Sequence, residues 1–167
     1  MIPILETERL TLRPWRQSDF EPFADFYSDP ETAVFVGGAC GRNDAWRRMA
    51  TYVGHWHLRG YGFWALEDKS TGGFVGYAGL WFPEGWPEPE VGWGLLKVAH
   101  GRGFATEAAL RARVYAYSVV GLKTLISFVD LRNLPSRKVA ERMGARQEGT
   151  ATLFGSEAGI FRHPSPH

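Results

Sequence analysis

The clearest chemical capability in the chain lies in His100-Gly101-Arg102-Gly103-Phe104-Ala105-Thr106-Glu107, where an apolar, strand-like run enters two near-adjacent glycines and then an alanine-rich helix. Glycine lets the backbone approach a ligand with no Cβ in the way. The first N–H groups of a helix point outward with the positive end of the dipole behind them. The chemistry on offer is anion binding, and a phosphate or pyrophosphate is the natural guest. Spacing excludes two kinds of phosphate loop. A nucleotide-triphosphate loop needs G-x-x-x-x-G-K-[ST], and no Gly-Lys followed by Ser or Thr occurs. A dinucleotide loop needs a third glycine where Thr106 stands and an acid about twenty positions on, where Ile126 and Ser127 stand. A strand-to-helix turn without any ligand would carry the same glycines, so this loop does not decide alone.

A second segment joins it. Asn133-Leu134-Pro135-Ser136 opens a helix in which Val139, Ala140 and Met143 recur at helical spacing and Gly144 is the stop. Asn is a favoured N-cap, Pro suits the first turn, and Gly suits the C-terminal end. His100-Gly101-Arg102-Gly103-Phe104-Ala105 resembles the [Q/R]-x-x-G-x-[G/A] loop of the GCN5-related N-acetyltransferases (GNAT), departing at His100. Asn133 to Gly144 resembles the N-x-x-S-x-x-x-x-x-x-x-G helix of the same family. The opening Glu8-Arg9-Leu10-Thr11-Leu12-Arg13-Pro14 and the start of the helix after Gly103 look most like the branch with the ribosomal-protein N-terminal acetyltransferases.

The resemblance implies an acetyl-coenzyme A-dependent transferase acting on a primary amine, either a protein N-terminus or a small molecule. It implies that the amides of His100 to Thr106 hold the pyrophosphate and that the backbone of Leu95 and Leu96 binds pantetheine. Asn133 would reach the pantetheine or a water, and Ser136 would lie near the thioester sulfur as general acid, with Tyr115 and Tyr117 in reserve. Glu90 matches a position at which several members of the family hold a water-linked carboxylate, with Glu84, Glu88 and Asp130 as alternatives. The same loop would also serve a non-catalytic acyl-coenzyme A-binding module. Asn133 that only caps, and a Glu90 that is only solvated, are the plain readings beside these roles.

The elements that must position these residues follow from periodicity. Leu10 to Arg13 alternates as a strand, Ser18-Asp19-Phe20-Glu21 is a capping box for a helix through about Tyr27, and Trp46, Met49, Ala50, Val53 and Trp56 stripe a second helix ending near Arg59. Phe63 to Glu67 and Phe74 to Phe82 form a hairpin across Lys69-Ser70-Thr71-Gly72-Gly73, and Glu90 to Leu96 is a strand that delivers the chain to the glycine loop. A helix from about Gly103 to Val119 then leads to a strand at Thr124 to Val129, parallel to its predecessor through a right-handed crossover. Residues from Gly149 to Phe161 close the chain as a hairpin. The expected fold is α/β, a mixed and mostly antiparallel sheet of six or seven strands flanked by about four helices, the order of the GNAT fold.

Length and composition bound the rest. The 167 residues fit one domain over the whole chain, 1–167, and a chain of this size buries roughly 70% of its unfolded surface. A net charge of +1 provides no field favouring nucleic acid or an anionic membrane, though Arg47-Arg48 is a local partner for phosphates. A single cysteine, Cys40, excludes an intrachain disulfide and a thiolate metal cage, and fits a cytoplasmic setting. No signal peptide or membrane span is expected. Seven tryptophans are many, and Trp81 and Trp86 near the acceptor entrance suit an amine, with Trp93 read as core. His55 and His57 face apart on a helix, so no metal is expected, and His163 and His167 read as tail. A homodimer is compatible with this fold.

Overall fold

The apolar alternation of the strand segments builds one sheet of eight strands in the computed structural model, which describes residues 1–166. The elements run β1 Leu5–Glu6, β2 Leu10–Arg13, α1 Phe20–Ser28, α2 Pro30–Ala33, α3 Arg42–Arg59, β3 Phe63–Asp68, β4 Phe74–Trp81 and β5 Glu90–Leu95. They continue with α4 Phe104–Tyr115, β6 Ile126–Asp130, α5 Leu134–Arg142, β7 Arg146–Leu153 and β8 Ser156–Arg162. Strand order is β1-β2-β3-β4-β5-β6-β8-β7, antiparallel everywhere except between β5 and β6. Eight strands exceed the expected six or seven because a two-residue edge, β1, pairs with β2. The one-turn α2 is likewise additional, started by Asp29, whose carboxylate accepts from the Glu31 N–H at 2.9 Å.

Two local expectations are corrected. Ser18 does not cap α1: the carboxylate of Asp19 accepts the Arg16 N–H at 2.8 Å around a short 3-10 turn, and α1 starts after it. Asp19 also takes both terminal nitrogens of Arg13, a pair under 5% exposed that ties β2 to this turn. The helix expected through Val119 is α-helical only to Tyr115, then widens to a π turn over Ala116–Val120 and stops at Gly121 in the left-handed region.

The two faces of the sheet pack against different side chains. Ala105, Ala108, Ala109 and Ala112 give α4 a small, flat face that lies close on β4 and β5. On the α1 and α3 side, Phe23, Tyr27, Tyr52, Phe63 and Tyr77 form an aromatic cluster with ring centroids about 5 to 6 Å apart, the edge-on and tilted geometry aromatic quadrupoles prefer. A cavity opens beside these rings.

Candidate functional site

The parallel strands β5 and β6 pair only where they start, at Glu90 and Ile126, and then part. Ladder parity fixes what the parting exposes. The Leu96 N–H donates to Val75 O at 2.9 Å, so alternate residues of β5 turn their backbone groups away from β4. The N–H groups of Trp93 and Leu95 therefore face the cleft, while that of Val91 is used in the one bridge to β6. Two side chains hold the point of divergence. Glu90 Oε2 accepts the Phe128 N–H at 2.7 Å, and Ser127 Oγ donates to Val91 O at 2.6 Å. Each occupies a backbone group that a continued ladder would have used.

Beyond this point lies a cavity of about 570 Å³. Trp81, Trp86, Tyr52 and Phe35 are among its walls, with Glu90 at the divergence and Asn133 and Ser136 on the α5 side. Trp81 is fixed from behind, stacked on Phe63 at 5.1 Å and on the His55 ring at 4.6 Å. His55 is a brace: Nε2 accepts the Phe82 N–H at 2.9 Å, Nδ1 donates to Tyr61 O at 2.7 Å, and burial lowers its pKa. Trp86 Nε1 donates to Glu90 Oε1 at 3.3 Å.

Glu90 is 8% exposed and has no cation partner among the described residues. Burial raises its pKa to about 7, against the smaller opposing pull of the Phe128 and Trp86 hydrogen bonds. The alternative carboxylates are either paired with arginine or fully exposed. Glu88 is clamped by Arg162 at 2.6 Å, Asp130 by Arg132 at 2.9 Å, and Glu84 is fully exposed with Arg59 at 3.9 Å. A carboxyl group poised near neutrality can take a proton from a bound group and release it to water at physiological pH.

The glycine loop lies outside this cavity, at the far end of β5. Gly101 and Gly103 have φ of 74° and 79°, the left-handed region, so the loop turns its amides outward before α4 begins. Among the described residues no hydrogen bond uses the N–H of Gly101, Arg102 or Gly103. Thr106 Oγ1 is buried and unpartnered in the first turn of α4. The outer side of the loop is tied down: Arg9 donates to Arg102 O at 2.7 Å and pairs with Glu107, while Arg102 pairs with Asp68 at 3.1 Å. Free amides, an orphaned hydroxyl and the start of a twelve-residue helix fit a diphosphate.

Several residues chosen from sequence are brought together and others are not. Glu90, Trp81, Trp86, Asn133 and Ser136 line one cavity; Leu95 presents its backbone to the same cleft. Leu96 offers no free group, because its N–H is in the ladder and its C=O accepts from Ala99 at 2.9 Å. His100 turns back on its own loop, its Nε2 bonding Leu95 O at 2.9 Å. Asn133 caps α5, accepting the Ser136 N–H at 3.3 Å. Trp93, read as core, also borders the cavity, where its Nε1 donates to Ser136 Oγ at 3.2 Å.

Tyr115 and Tyr117 are away from the cavity. One packs edge-on against Trp64 at 5.2 Å, and the other donates to Pro164 O at 2.7 Å. The tail reading of His163 is corrected as well, while His167 lies outside the described residues. His163 is 2% exposed, its Nδ1 faces Arg113 at 3.3 Å, and its Nε2 meets Ser127 Oγ at 2.8 Å. Burial, aided by Arg113, lowers its pKa to about 3, so it is neutral and braces the Ser127 contact. Sequence reasoning missed Ser127, although a serine inside the apolar run Leu125-Ile126-Ser127-Phe128-Val129 is the kind of buried polar group that must find a partner.

The acetyltransferase (GNAT) domain profile matches residues 9–146. The chain belongs to the GNAT acetyltransferase family. An acetyltransferase from Agrobacterium tumefaciens superposes with a TM-score of 0.90 at 34% identity, covering 98% of this chain and 95% of that one. An uncharacterized N-acetyltransferase of Bacillus subtilis, YoaA, is 26% identical over 92% of this chain and 89% of its own length. The ribosomal L7/L12 α-N-protein acetyltransferase RimL, in complex with coenzyme A, shares the fold at a TM-score of 0.77 and 15% identity, covering 96% of this chain and 97% of that one. Among the described residues no helix is long and apolar enough to cross a membrane.

Proposed function

We propose that this acetyltransferase moves the acetyl group of acetyl-coenzyme A to a primary amine, by direct attack of the amine while both substrates are bound. The observation that carries the reading is Glu90, a buried carboxylate with no cation partner among the described residues, standing where β5 and β6 part in an aromatic cavity. Bound acetyl-coenzyme A supplies an acetyl group already activated as a thioester. The amides of Gly101 to Gly103 and the hydroxyl of Thr106 hold its diphosphate, and the outward N–H groups of Trp93 and Leu95 offer donors along the cleft.

Glu90 accepts the proton of the incoming ammonium or of the amine as it attacks. How much help it must give depends on the acceptor. A lysine amine, with pKa near 10.4, is neutral about one part in a thousand at pH 7.4 and costs about 4 kcal/mol to deprotonate, whereas an α-amine near 7.8 costs under ~1 kcal/mol. A carboxyl group with pKa about 7 is matched to the second task. A cleft-facing N–H, Trp93's or Leu95's, stabilises the charge that develops on the carbonyl oxygen. Ser136 accepts from Trp93 and keeps its own O–H free to donate to the departing thiolate.

The test is thiol release from acetyl-coenzyme A against a panel of amines. Amine-stimulated release that saturates in both substrates supports the reading. Saturable coenzyme A binding with no release by any amine overturns it.

A further inference from the structure

The charges lining the cavity are unevenly matched. Asp44 and Arg47 pair with each other at 3.0 Å, and Asp130 is held by Arg132, which takes both its oxygens at 2.9 and 3.0 Å. Arg48 lines the cavity with no carboxylate partner among the described residues. Its guanidinium donates to Val36 O at 3.3 Å and lies over the Tyr27 ring at 4.3 Å. Both contacts position the head group, and neither neutralises it. A half-buried cation without a counter-charge is costly unless a ligand supplies one. Its planar fork is also the geometry that reads a carboxylate with two N–H groups at once.

Arg48 and Glu90 are separated by an aromatic wall. Tyr52 sits one turn after Arg48 on α3; its ring meets Trp81 edge-on at 5.2 Å, and Trp81 is the ladder partner of Glu90. The cavity therefore has a base for an amine at one end, a cation at the other, and apolar rings between. A volume of about 570 Å³ is that of a small-molecule site.

Resting on the amine-acceptor reading above, we infer that Arg48 binds the carboxylate of the acceptor, and that the acceptor is a small amino acid-like molecule carrying both an amine and a carboxylate. A polyamine would place its second ammonium against Arg48, with no free acid there to receive it. The uncharged aromatic rings fit an apolar spacer between the two charged groups, so the acceptor carries its amine and carboxylate at opposite ends of a short chain, as an ω-amino acid or a dipeptide does.

The experiment compares ω-amino acids and dipeptides with their own carboxamides, and with polyamines, as acceptors for the whole chain, in wild type and in Arg48→Gln and Arg48→Lys. The best of these acids exceeds its carboxamide by about tenfold or more in kcat/KM, mostly through KM, as expected of a charge-assisted contact. Arg48→Gln brings that ratio to within about threefold of one, and Arg48→Lys restores part of it. The Lys variant keeps the test open should the Gln variant fold poorly. Equal use of acid and carboxamide by wild type, an unchanged ratio in Arg48→Gln, or a preference for polyamines overturns the assignment while leaving acetyl transfer to amines intact. Failure of every amine to stimulate thiol release overturns the acceptor reading itself, and this assignment with it.

Discussion

At the Gly101–Gly103 end of the cleft the free donors are backbone amides set by two left-handed glycines, whereas at the Glu90 end the polar atoms are side chains drawn from α3, β5, β6 and α5. The first end is assembled by seven consecutive residues and an adjoining helix. The second exists only because Trp86, Phe128, Trp93 and Ser136 converge from distant parts of the chain. The difference in construction implies a difference in task. A backbone cradle whose one charged side chain, Arg102, is paired with Asp68 suits a constant ligand part, and a side-chain cavity suits a variable one.

The contrast is broken most severely at the glycine loop. Gly103→Asp puts a carboxylate where a diphosphate belongs, at a φ of 79° that aspartate tolerates better than most residues. Coenzyme A affinity is expected to fall about a hundredfold or more by titration calorimetry while the melting temperature stays within a few degrees. Unchanged affinity would remove this loop from the site. At the other end, Glu90→Gln is expected to lower kcat/KM by about ten- to a hundredfold near neutral pH, with a smaller deficit at high pH where more of the amine is already neutral. The wild-type rate should rise through pH 7 as Glu90 loses its proton, and a profile shared by both proteins would discard Glu90 as the base.

The same carboxyl makes a prediction about stability. Its folded pKa is raised, so its contribution is fully present below about 4.5 and lost as pH rises through about 7. Relative to wild type, Glu90→Gln should therefore gain stability between pH 4.5 and 8, by up to about 3 kcal/mol in denaturant titrations. His163 works in the opposite direction. Its pKa is lowered to about 3, so its contribution is present above about 6.5 and declines as pH falls toward 3. His163→Asn should flatten the loss of stability on acidification, at a cost near neutral pH of about 1 to 3 kcal/mol for the disturbed Ser127 partner.

The smallest effect sharpens the comparison. Trp86→Phe keeps the ring but removes the hydrogen bond that draws the Glu90 pKa down, so the pH–rate profile should move to higher pH and kcat/KM at pH 7 should fall a fewfold, by about two to five. A drop with no alkaline movement would mean that Trp86 acts through packing alone.

How much of this was legible in the sequence follows the same division. The glycine loop, the Asn133 cap, the hairpin of β3 and β4 and the β5-to-α4 passage are local patterns, and each appears within a residue or two of its expected place. The edge strand β1 depends on pairing with β2 and the placement of Asp19 on Arg13, partners that periodicity does not specify, and no spacing signals the π turn at Ala116. At the site, Glu90 stands out in the sequence as the carboxylate that starts the strand leading to the glycine loop, with Glu84, Glu88 and Asp130 as nearby alternatives. Only the positions of Arg162, Arg132 and the solvent separate them.

The sequence by itself determined the order of the elements, the outward-turned amides after β5 and the capped start of α5, because backbone conformation at glycine, asparagine and proline responds to neighbours a few residues away. The tertiary structure decided which acid is raised toward neutrality, which arginine lacks an acid, and that His163 is a buried brace. Charge state and pairing are set by what lies within a few ångströms in space, and folding brings together residues as far apart as Glu90 and Phe128 or Ser127 and His163.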